Sequence, residues 1–407
     1  MQRMTADSDP ARTGSRAIRF VLGMGIVDLF GDMAYSGGAG MNGPFLGSLG
    51  ATAAVISLAG GLSEFLNYLT RGVSGYIGNR FRRHWLLIYI GYCVNLLAVP
   101  ALALAGAWHV AAGLIVLQGI GRGTRKPIVQ GMLSYATGQL GRGWVYGVHT
   151  ALDHTGRMLG PLVIAIVLLR SDATLRFGYG LLLIPATLAL ISLVAARIRF
   201  PAPSRLEHHP APTTRGFTRA YWLYLVAGAC FAAGVVNFEL IGFHLSRSGI
   251  RVEVVPLFLV LATIVSAGAS LGLGKLYDRI GMPVIVSAVL LSAMFSPFVF
   301  LSPIPFILLG MALWGIGQVT QDMLLSALIA GVLPESRRYL AFGVFYAGYG
   351  LGWLIGAGTA GVLYERSHVA VVVFAAGVQL LSLPFLLLGR RLTQSPGVSP
   401  GSARASV

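Results

Sequence analysis

The sequence predicts an all-α, polytopic membrane protein with twelve transmembrane helices arranged as two pseudo-symmetric bundles of six. Three observations predict this fold: the composition, the spacing of the apolar segments and an internal repeat. Hydrophobic residues make up 55% of the 407 residues, charged residues only 11%, and the mean hydropathy is +0.74. Because a soluble domain is typically about 25% charged, this composition argues against a water-soluble enzyme.

Twelve apolar segments follow one another along the chain, each close to the roughly 20 residues that a helix needs to cross the hydrocarbon core. Their predicted bounds are 17–41, 51–73, 85–105, 109–130, 144–169, 174–196, 220–245, 253–274, 282–301, 304–326, 340–363 and 369–389. The sequence thus divides into an N-terminal tail (1–16), a six-helix bundle (17–196), a polar, Pro-rich and basic linker (197–219), a second six-helix bundle (220–389) and a C-terminal tail (390–407).

The net charge of +16 is explained by the topology. Cytoplasmic loops of membrane proteins collect Lys and Arg. With the N-terminus inside, 24 of the 30 Lys and Arg residues fall on the cytoplasmic side and 5 on the outer side, with Arg157 inside a segment. We therefore expect a multi-pass protein of the cell (inner or plasma) membrane with both termini in the cytoplasm, and no nucleic-acid partner.

An internal repeat relates the two halves. Gly119-Ile120-Gly121-x-x-Thr124 recurs as Gly315-Ile316-Gly317-x-x-Thr320, at an offset of 196 residues. The glycines of the fifth segment recur in the eleventh at the same offset. Parallel repeats of this kind, related by an axis along the membrane normal, are typical of secondary transporters.

The connection after the second segment of each half carries a recognisable motif. The C-terminal copy, Gly274-x-Leu276-x-Asp278-Arg279-x-Gly281, fits the pattern G-x-L-x-D-R-x-G. The N-terminal copy departs from it, because Asn79 stands where the pattern has Asp and Arg82 where it has the second Gly. With twelve segments in two sixes, this motif resembles the major facilitator superfamily, and the resemblance covers essentially the whole chain.

The resemblance implies several expectations. Transport would proceed by alternating access, a cavity would be lined by the first, fourth, seventh and tenth segments, and the loops 75–84 and 274–283 would act in gating. The gating candidates are Gly75, Asn79, Arg80, Arg83, Gly274, Asp278, Arg279 and Gly281. The resemblance also implies that the Asp of this motif and its basic neighbours latch the two halves together on the cytoplasmic side. Asn79 cannot make a charge-assisted hydrogen bond as a carboxylate does, so this latch would be weaker at the N-terminal copy.

The fifth segment is similar to an antiporter motif of the same family. Gly147, Gly156, Gly160 and Pro161 stand at the spacing G-x8-G-x3-G-P. Glycines four residues apart let helices approach closely, and a proline frees one helical carbonyl. The alternative is ordinary helix packing in a protein with 54 glycines.

Five acidic residues inside segments are candidates for proton coupling, because charges at membrane depth are costly. Asp28 and Asp32 are spaced i, i+4, which places them on one helix face, where two carboxylates repel each other unless a proton is bound. The alternative is that one of them bonds to a helix broken by glycines. Glu64 either bonds across to the first segment or lines the transport path. Glu239 could instead reach the interface by snorkelling.

The fifth segment also carries Asp153 together with His149 and Arg157 at i, i+4, i+8 spacing. One interpretation is a self-neutralising Asp153–Arg157 pair. The other makes Arg157 a sensor of Asp153 protonation or a contact for an anionic substrate. The eleventh segment has aromatic residues at the equivalent positions.

Further residues are predicted to line a substrate cavity. They are Tyr35, Gln118, Arg125, His149, Arg157, Asn237, Trp314 and Gln318. Arg122, Arg125 and Lys126 have an alternative interpretation as positive-inside anchors near the cytoplasmic mouth.

Several functional classes lack support in the sequence. No G-x-x-x-x-G-K-[ST] motif occurs, so the chain predicts no ATP site, and the two cysteines suggest neither a disulfide framework nor a zinc site. We predict no enzyme activity, no cofactor and no dedicated metal site, with a proton gradient as the energy source. The expected partners are the bilayer, protons and a small-molecule substrate, and the expected unit is a monomer.

The predicted function is secondary transport of a small solute, by proton-coupled antiport in the direction of efflux. The alternatives are proton-coupled uptake of a small metabolite, anionic or not, by symport, transport of a divalent metal, and a membrane sensor that transports nothing.

Overall fold

The computed structural model describes residues 10–81, 84–140, 142–171, 173–201, 218–321 and 338–394, and nearly all of them are helical. The α-helices are α1 (Pro10–Ser48), α2 (Ala53–Phe81), α3 (His84–Ala101), α4 (Trp108–Leu140), α5 (Arg142–Ser171), α6 (Leu175–Leu181), α7 (Leu183–Arg199), α8 (Arg219–Gly234), α9 (Phe238–Arg247), α10 (Val255–Ile280), α11 (Met282–Ala293), α12 (Phe295–Phe300), α13 (Ile304–Val319), α14 (Arg338–Arg366) and α15 (His368–Gln394). The predicted all-α class is confirmed.

Each predicted segment lies largely within described helical residues, the tenth as far as residue 321, but three segments are broken. The sixth is α6 with α7, the seventh is α8 with α9, and the ninth is α11 with α12. In the seventh, Val235 is extended and Asn237 starts a new helix, because its side-chain oxygen accepts a hydrogen bond of 3.2 Å from the Leu240 amide. A side chain that caps a helix locally in this way competes with continuation of the preceding helix.

The outer surface fits a lipid environment. Seven of the described helical segments are long and apolar enough to cross a membrane. Large aliphatic side chains such as Ile191, Leu271 and Val373 are more than half exposed. In water such a surface would be a liability, whereas in a bilayer it contacts hydrocarbon.

Glycines let equivalent helices approach closely in the two halves. A Cβ atom at Gly156 or Gly160 of α5 would collide with the carbonyl oxygens of Leu29 and Met33 on α1. In the second half, Cβ atoms at Gly352 and Gly356 of α14 would collide with carbonyl oxygens of α8. The sequence repeat is therefore a repeat of helix packing.

The glycines of the Gly-x-Gly repeat also mark close contacts between helices. A Cβ atom at Gly119 would collide with the Ser63 carbonyl of α2, and one at Gly315 would overlap the Ala262 carbonyl of α10. Both α4 and α13 therefore pack backbone to backbone against a neighbour.

Gly147 is different, and its predicted packing role is wrong. It is exposed, and a Cβ atom built on it would meet no atom of the described residues within 4 Å. Pro161, by contrast, lies inside α5 and faces Gly40 of α1.

The predicted gating loops are mostly helical, which corrects the assigned boundaries. Gly75, Asn79 and Arg80 belong to α2, and Gly274, Asp278 and Arg279 belong to α10. Arg83 lies outside the described residues. The turn itself is at Gly281, whose φ of 67° is one that glycine adopts without strain.

The two halves meet through α2 with α14, α1 with α9, and α5 with α10. Ser57 of α2 donates a hydrogen bond of 2.7 Å to the carbonyl of Ala357 on α14. Residues of both halves thus surround the centre of the molecule.

We predict that Gly156→Ala and Gly160→Ala destabilise the protein, whereas Gly147→Ala does not. The added methyl groups at Gly156 and Gly160 must push α1 away from α5, and overpacking of this kind typically costs about 1–3 kcal/mol. Thermal unfolding of the purified variants in one detergent measures the effect. Equal midpoints for all three variants would show that the close approach of α1 and α5 contributes nothing to stability.

Candidate functional site: a polar cavity between the halves

A cavity of about 150 Å³ lies between the two halves. Its walls combine polar and aromatic side chains from eight segments of the fold. The lining side chains include Tyr35, Asn42, Ser63, Glu64, Gln118, Arg122, His154, Arg157, Asn237, Phe238, Glu239, Trp314, Gln318, Gln321 and Trp353. Polar groups that converge between helix bundles are typical of a ligand site.

Glu64 forms the hub of one wall. It accepts a charged hydrogen bond of 2.7 Å from Arg122 on α4 and one of 2.8 Å from Asn67 one turn along α2. The Tyr35 hydroxyl on α1 accepts a bond of 2.6 Å from Arg122 and lies 3.4 Å from Glu64. The Arg122 guanidinium balances the negative charge of Glu64. The cluster therefore connects α1, α2 and α4 without leaving that carboxylate uncompensated.

Glu239 lies opposite, in the first turn of α9. The Asn42 side-chain amide donates to its carboxylate at 3.5 Å. Gly60 of α2 packs so closely that an added Cβ would lie 2.7 Å from a Glu239 carboxylate oxygen. Among the described residues, no basic side chain lies within 4 Å of Glu239.

Asp28 and Asp32 lie behind the cavity wall and are both buried. Arg125 of α4, itself only 1% exposed, forms ion pairs with both: one guanidinium nitrogen contacts Asp28 and another lies 2.7 Å from Asp32. The Tyr92 hydroxyl of α3 also donates to Asp28. The two carboxylates therefore do not face each other alone, because a guanidinium lies between them.

The fifth segment extends this network toward the cavity. His149 Nε2 lies 2.7 Å from Asp28 Oδ2. Arg157 lies 3.0 Å from Asp153 and 3.6 Å from Asp32. The self-neutralising Asp153–Arg157 pair is thus present, and Arg157 also lines the cavity.

Aromatic side chains form the facing wall in the second half. Trp314 donates a hydrogen bond of 2.9 Å to the Val236 carbonyl and packs beside Phe238. Tyr349 and Trp353 of α14 pack 6.3 Å apart, centroid to centroid. Where α5 carries charges, α14 carries buried aromatic rings, as the repeat predicts.

The predicted site residues fall into two groups. Tyr35, Gln118, Arg157, Asn237, Trp314 and Gln318 line the cavity, together with Glu64 and Glu239. Arg125 and His149 do not line it, because their charges face the carboxylates behind the wall. Asp28, Asp32 and Asp153 lie in that same network.

Two interpretations from the sequence are corrected. Arg122 and Arg125 are not positive-inside anchors, because both are held within the bundle by ion pairs. Glu239 does not reach the interface by snorkelling, because its carboxylate faces the central cavity.

The sequence did not single out every residue of the site. Arg122 was signalled by its place inside the fourth segment, but its pairing with Glu64 depends on how α2 and α4 are rotated. Trp353 was visible as an aromatic counterpart of Arg157. Within the described residues, no group of three or more His, Cys, Asp or Glu side chains could hold a metal ion.

Comparison with known sequences gives a family. A statistical model of the Major Facilitator Superfamily matches residues 26–325 and also residues 282–406. An uncharacterised protein of Mycobacterium tuberculosis is 32% identical over 380 residues, which cover 91% of this chain and 93% of that protein. An uncharacterised MFS-type transporter of Methanocaldococcus jannaschii is 23% identical over 354 residues, which cover 84% of this chain and 87% of that protein.

Solved structures share the fold. The peptide transporter POT in complex with sulfate superposes with a TM-score of 0.76 at 15% identity, covering 92% of this chain and 95% of that chain. The nucleoside transporter NupG gives a TM-score of 0.72 at 12% identity, covering 91% and 98%. At these identities the likeness shows the fold alone.

The buried pairing around Arg125 leads to a prediction about stability. Arg125→Leu removes the guanidinium that Asp28 and Asp32 share, and breaking a buried ion pair from one side typically costs about 3–5 kcal/mol. The triple substitution Arg125→Leu, Asp28→Asn, Asp32→Asn removes the charges together and should recover part of that loss. Denaturant unfolding of the purified variants measures both.

Arg251→Leu is the matched control, because Arg251 is 69% exposed and lies 3.8 Å from Glu253, where an ion pair contributes little. If Arg125→Leu were no more harmful than Arg251→Leu, the buried network would not stabilise the fold.

Proposed function

Since this chain belongs to the Major Facilitator Superfamily and is therefore a multi-pass membrane transporter of small solutes rather than an enzyme, we propose that it is a proton-coupled antiporter. In this proposal the two halves expose the central cavity to alternate sides of the membrane. Protons enter as the solute leaves the cell.

The observation that carries the proposal is the carboxylate of Glu239. It faces the cavity between the halves with an amide at 3.5 Å and no basic side chain within 4 Å in the described part of the chain. A carboxylate at membrane depth needs a neutralising partner. Since the described residues supply no fixed cation within that distance, we infer that the partner comes from solution, as a proton or as a cationic group of the solute.

Competition at one carboxylate produces exchange. A proton and a cationic group cannot both neutralise Glu239, so binding of one favours release of the other. Alternating access then converts this exclusion into coupled movement in opposite directions. Asn42 donates to Glu239 and Asn237 caps the helix that carries it, but neither balances its charge.

The other acids fit a supporting role better. Asp28 and Asp32 share Arg125, Glu64 pairs with Arg122, and Asp153 pairs with Arg157. An acid whose charge is already balanced by a fixed cation needs no proton to neutralise it. A coupling role for these four residues stays a prediction, and Glu239 is the first to test.

Symport of a small anionic metabolite is the second candidate, and Arg157 favours it. Its side chain is 24% exposed and lines the cavity, so an anionic solute could compete with Asp153 and Asp32 for the guanidinium. The freed carboxylates would then take up a proton together with the solute.

The remaining expectations form part of the proposal. The transporter works as a monomer in the cell membrane with both termini in the cytoplasm. It uses the proton gradient and no cofactor.

We predict that Glu239→Gln loses solute-driven proton movement by at least tenfold, because the amide can neither carry a proton through the cycle nor pair with a cationic group of the solute. A pH-sensitive dye inside reconstituted vesicles records the proton movement as a panel of organic cations and anions is added. Under antiport, a solute added outside drives protons out of the lumen; under symport, it drives them in.

Glu253→Gln is the control, since this acid lies outside the cavity beside Arg251. Proton movement that survives Glu239→Gln unchanged would remove Glu239 from the mechanism. Inward proton movement driven only by anions, and lost in Arg157→Gln, would replace antiport with symport.

A further inference from the structure

One face of α2 carries a continuous polar chain away from the cavity. Asn67 donates to Glu64 at 2.8 Å, and Arg71 Nε donates to the Asn67 side-chain oxygen at 3.3 Å. Asn67 is fully buried and uses both ends of its amide in these bonds. The position of the Arg71 guanidinium is thereby tied to the cavity carboxylate Glu64.

Arg71 lies against aromatic rings from both halves. Its guanidinium carbon is 4.9 Å from the ring centroid of Tyr68 on α2 and 5.7 Å from that of Tyr346 on α14. The two rings stack on each other with centroids 5.6 Å apart and planes 10° apart. Because a planar guanidinium is well suited to aromatic faces, the three side chains form one contact unit across the interface, which we term the Arg71 clamp.

The Arg71 clamp lies where the cavity ends. Gln321, which lines the cavity, donates to the Tyr68 hydroxyl. At the other end, Asn237 donates a bond of 2.7 Å to the Ser57 carbonyl of α2. Glu64 lies between Ser57 and Tyr68 along α2, so contacts between the halves bound the cavity on both sides of it.

We propose that Arg71 is a positioning residue that closes the α2–α3 end of the cavity by holding Tyr346 against Tyr68, under the control of Glu64. When the halves separate at this end, Tyr346 leaves with α14 and the guanidinium loses one of its two rings. When Glu64 changes its bonding, the Asn67 tether loosens and the Arg71 clamp weakens. Ligand or proton binding at the cavity is thereby linked to opening of this end.

This inference rests on the alternating access of the proposed function but not on protons. Its test is therefore run without a pH gradient. Failure of the antiport assay leaves the test intact, and failure of the test leaves the antiport assay intact.

The test measures access to the cavity. Ser266→Cys, in a background of Cys93→Ala and Cys230→Ala, places a thiol at a partly exposed position on the cavity wall. A membrane-impermeant maleimide is added to sealed vesicles, and a separate variant with Arg199→Cys at the exposed end of α7 identifies vesicles that expose the α2–α3 side. The labelling rate reports how often this end opens.

We expect Arg71→Gln, Asn67→Leu and Tyr346→Leu each to raise the labelling rate at least fivefold. Tyr346→Phe keeps the ring and should stay within twofold of the parent. The double variant Arg71→Gln, Tyr346→Leu should be labelled no faster than the quicker single variant, because both remove the same contact. Arg251→Gln is the control for loss of an arginine outside the cavity.

Three results would overturn the proposal. They are unchanged labelling in Arg71→Gln, an increase in Tyr346→Phe as large as in Tyr346→Leu, and multiplication of the two effects in the double variant. A parent thiol that is already labelled as fast as free cysteine would also overturn it, since the end would then not be closed. Monodisperse elution of each variant shows that labelling reflects opening of a folded protein.

Discussion

Arg125 holds two carboxylates at once in the interior of the first half, and several helices depend on that arrangement. Asp28 and Asp32 on α1 meet a guanidinium from α4, while Tyr92 of α3 and His149 of α5 contact the Asp28 carboxylate. Four helices are thus fixed around buried charge. Since none of these charges can be left alone in a low-dielectric interior, the rotation of each helix is constrained by the others.

The second half reaches the same packing with different side chains. Gly352 and Gly356 set α14 against α8 just as Gly156 and Gly160 set α5 against α1. The space that is charged in the first half is aromatic in the second, with Phe345, Tyr349 and Trp353 nearly fully buried. A shared backbone frame therefore supports one half built on ion pairs and another built on ring packing, and the cavity lies where they face each other.

Much of this frame could be predicted from the sequence, because apolar segment length and glycine spacing are local properties. The fold class, the repeat and the packing roles of Gly156 and Gly160 needed no tertiary information. The pairing of Glu64 with Arg122, however, depends on the relative rotation of α2 and α4. Gly147 is a second case that the sequence could not decide. The motif spacing includes it, but no atom of the described residues lies within 4 Å of a Cβ built there. Asn237 interrupts its segment because of a side-chain cap that hydropathy does not register.

In the proposed mechanism, exchange at the single Glu239 carboxylate determines which part of the proton gradient drives transport. A single exchangeable carboxylate admits one proton for each monovalent cation, so the exchange moves no net charge. The membrane voltage, which acts at about 2.3 kcal/mol per elementary charge per 100 mV, then contributes nothing to the driving force. Only the pH difference remains, and each pH unit is equivalent to about 1.4 kcal/mol. Such an exchanger would sustain a roughly tenfold solute gradient for each unit of pH difference and would continue to work across a depolarised membrane.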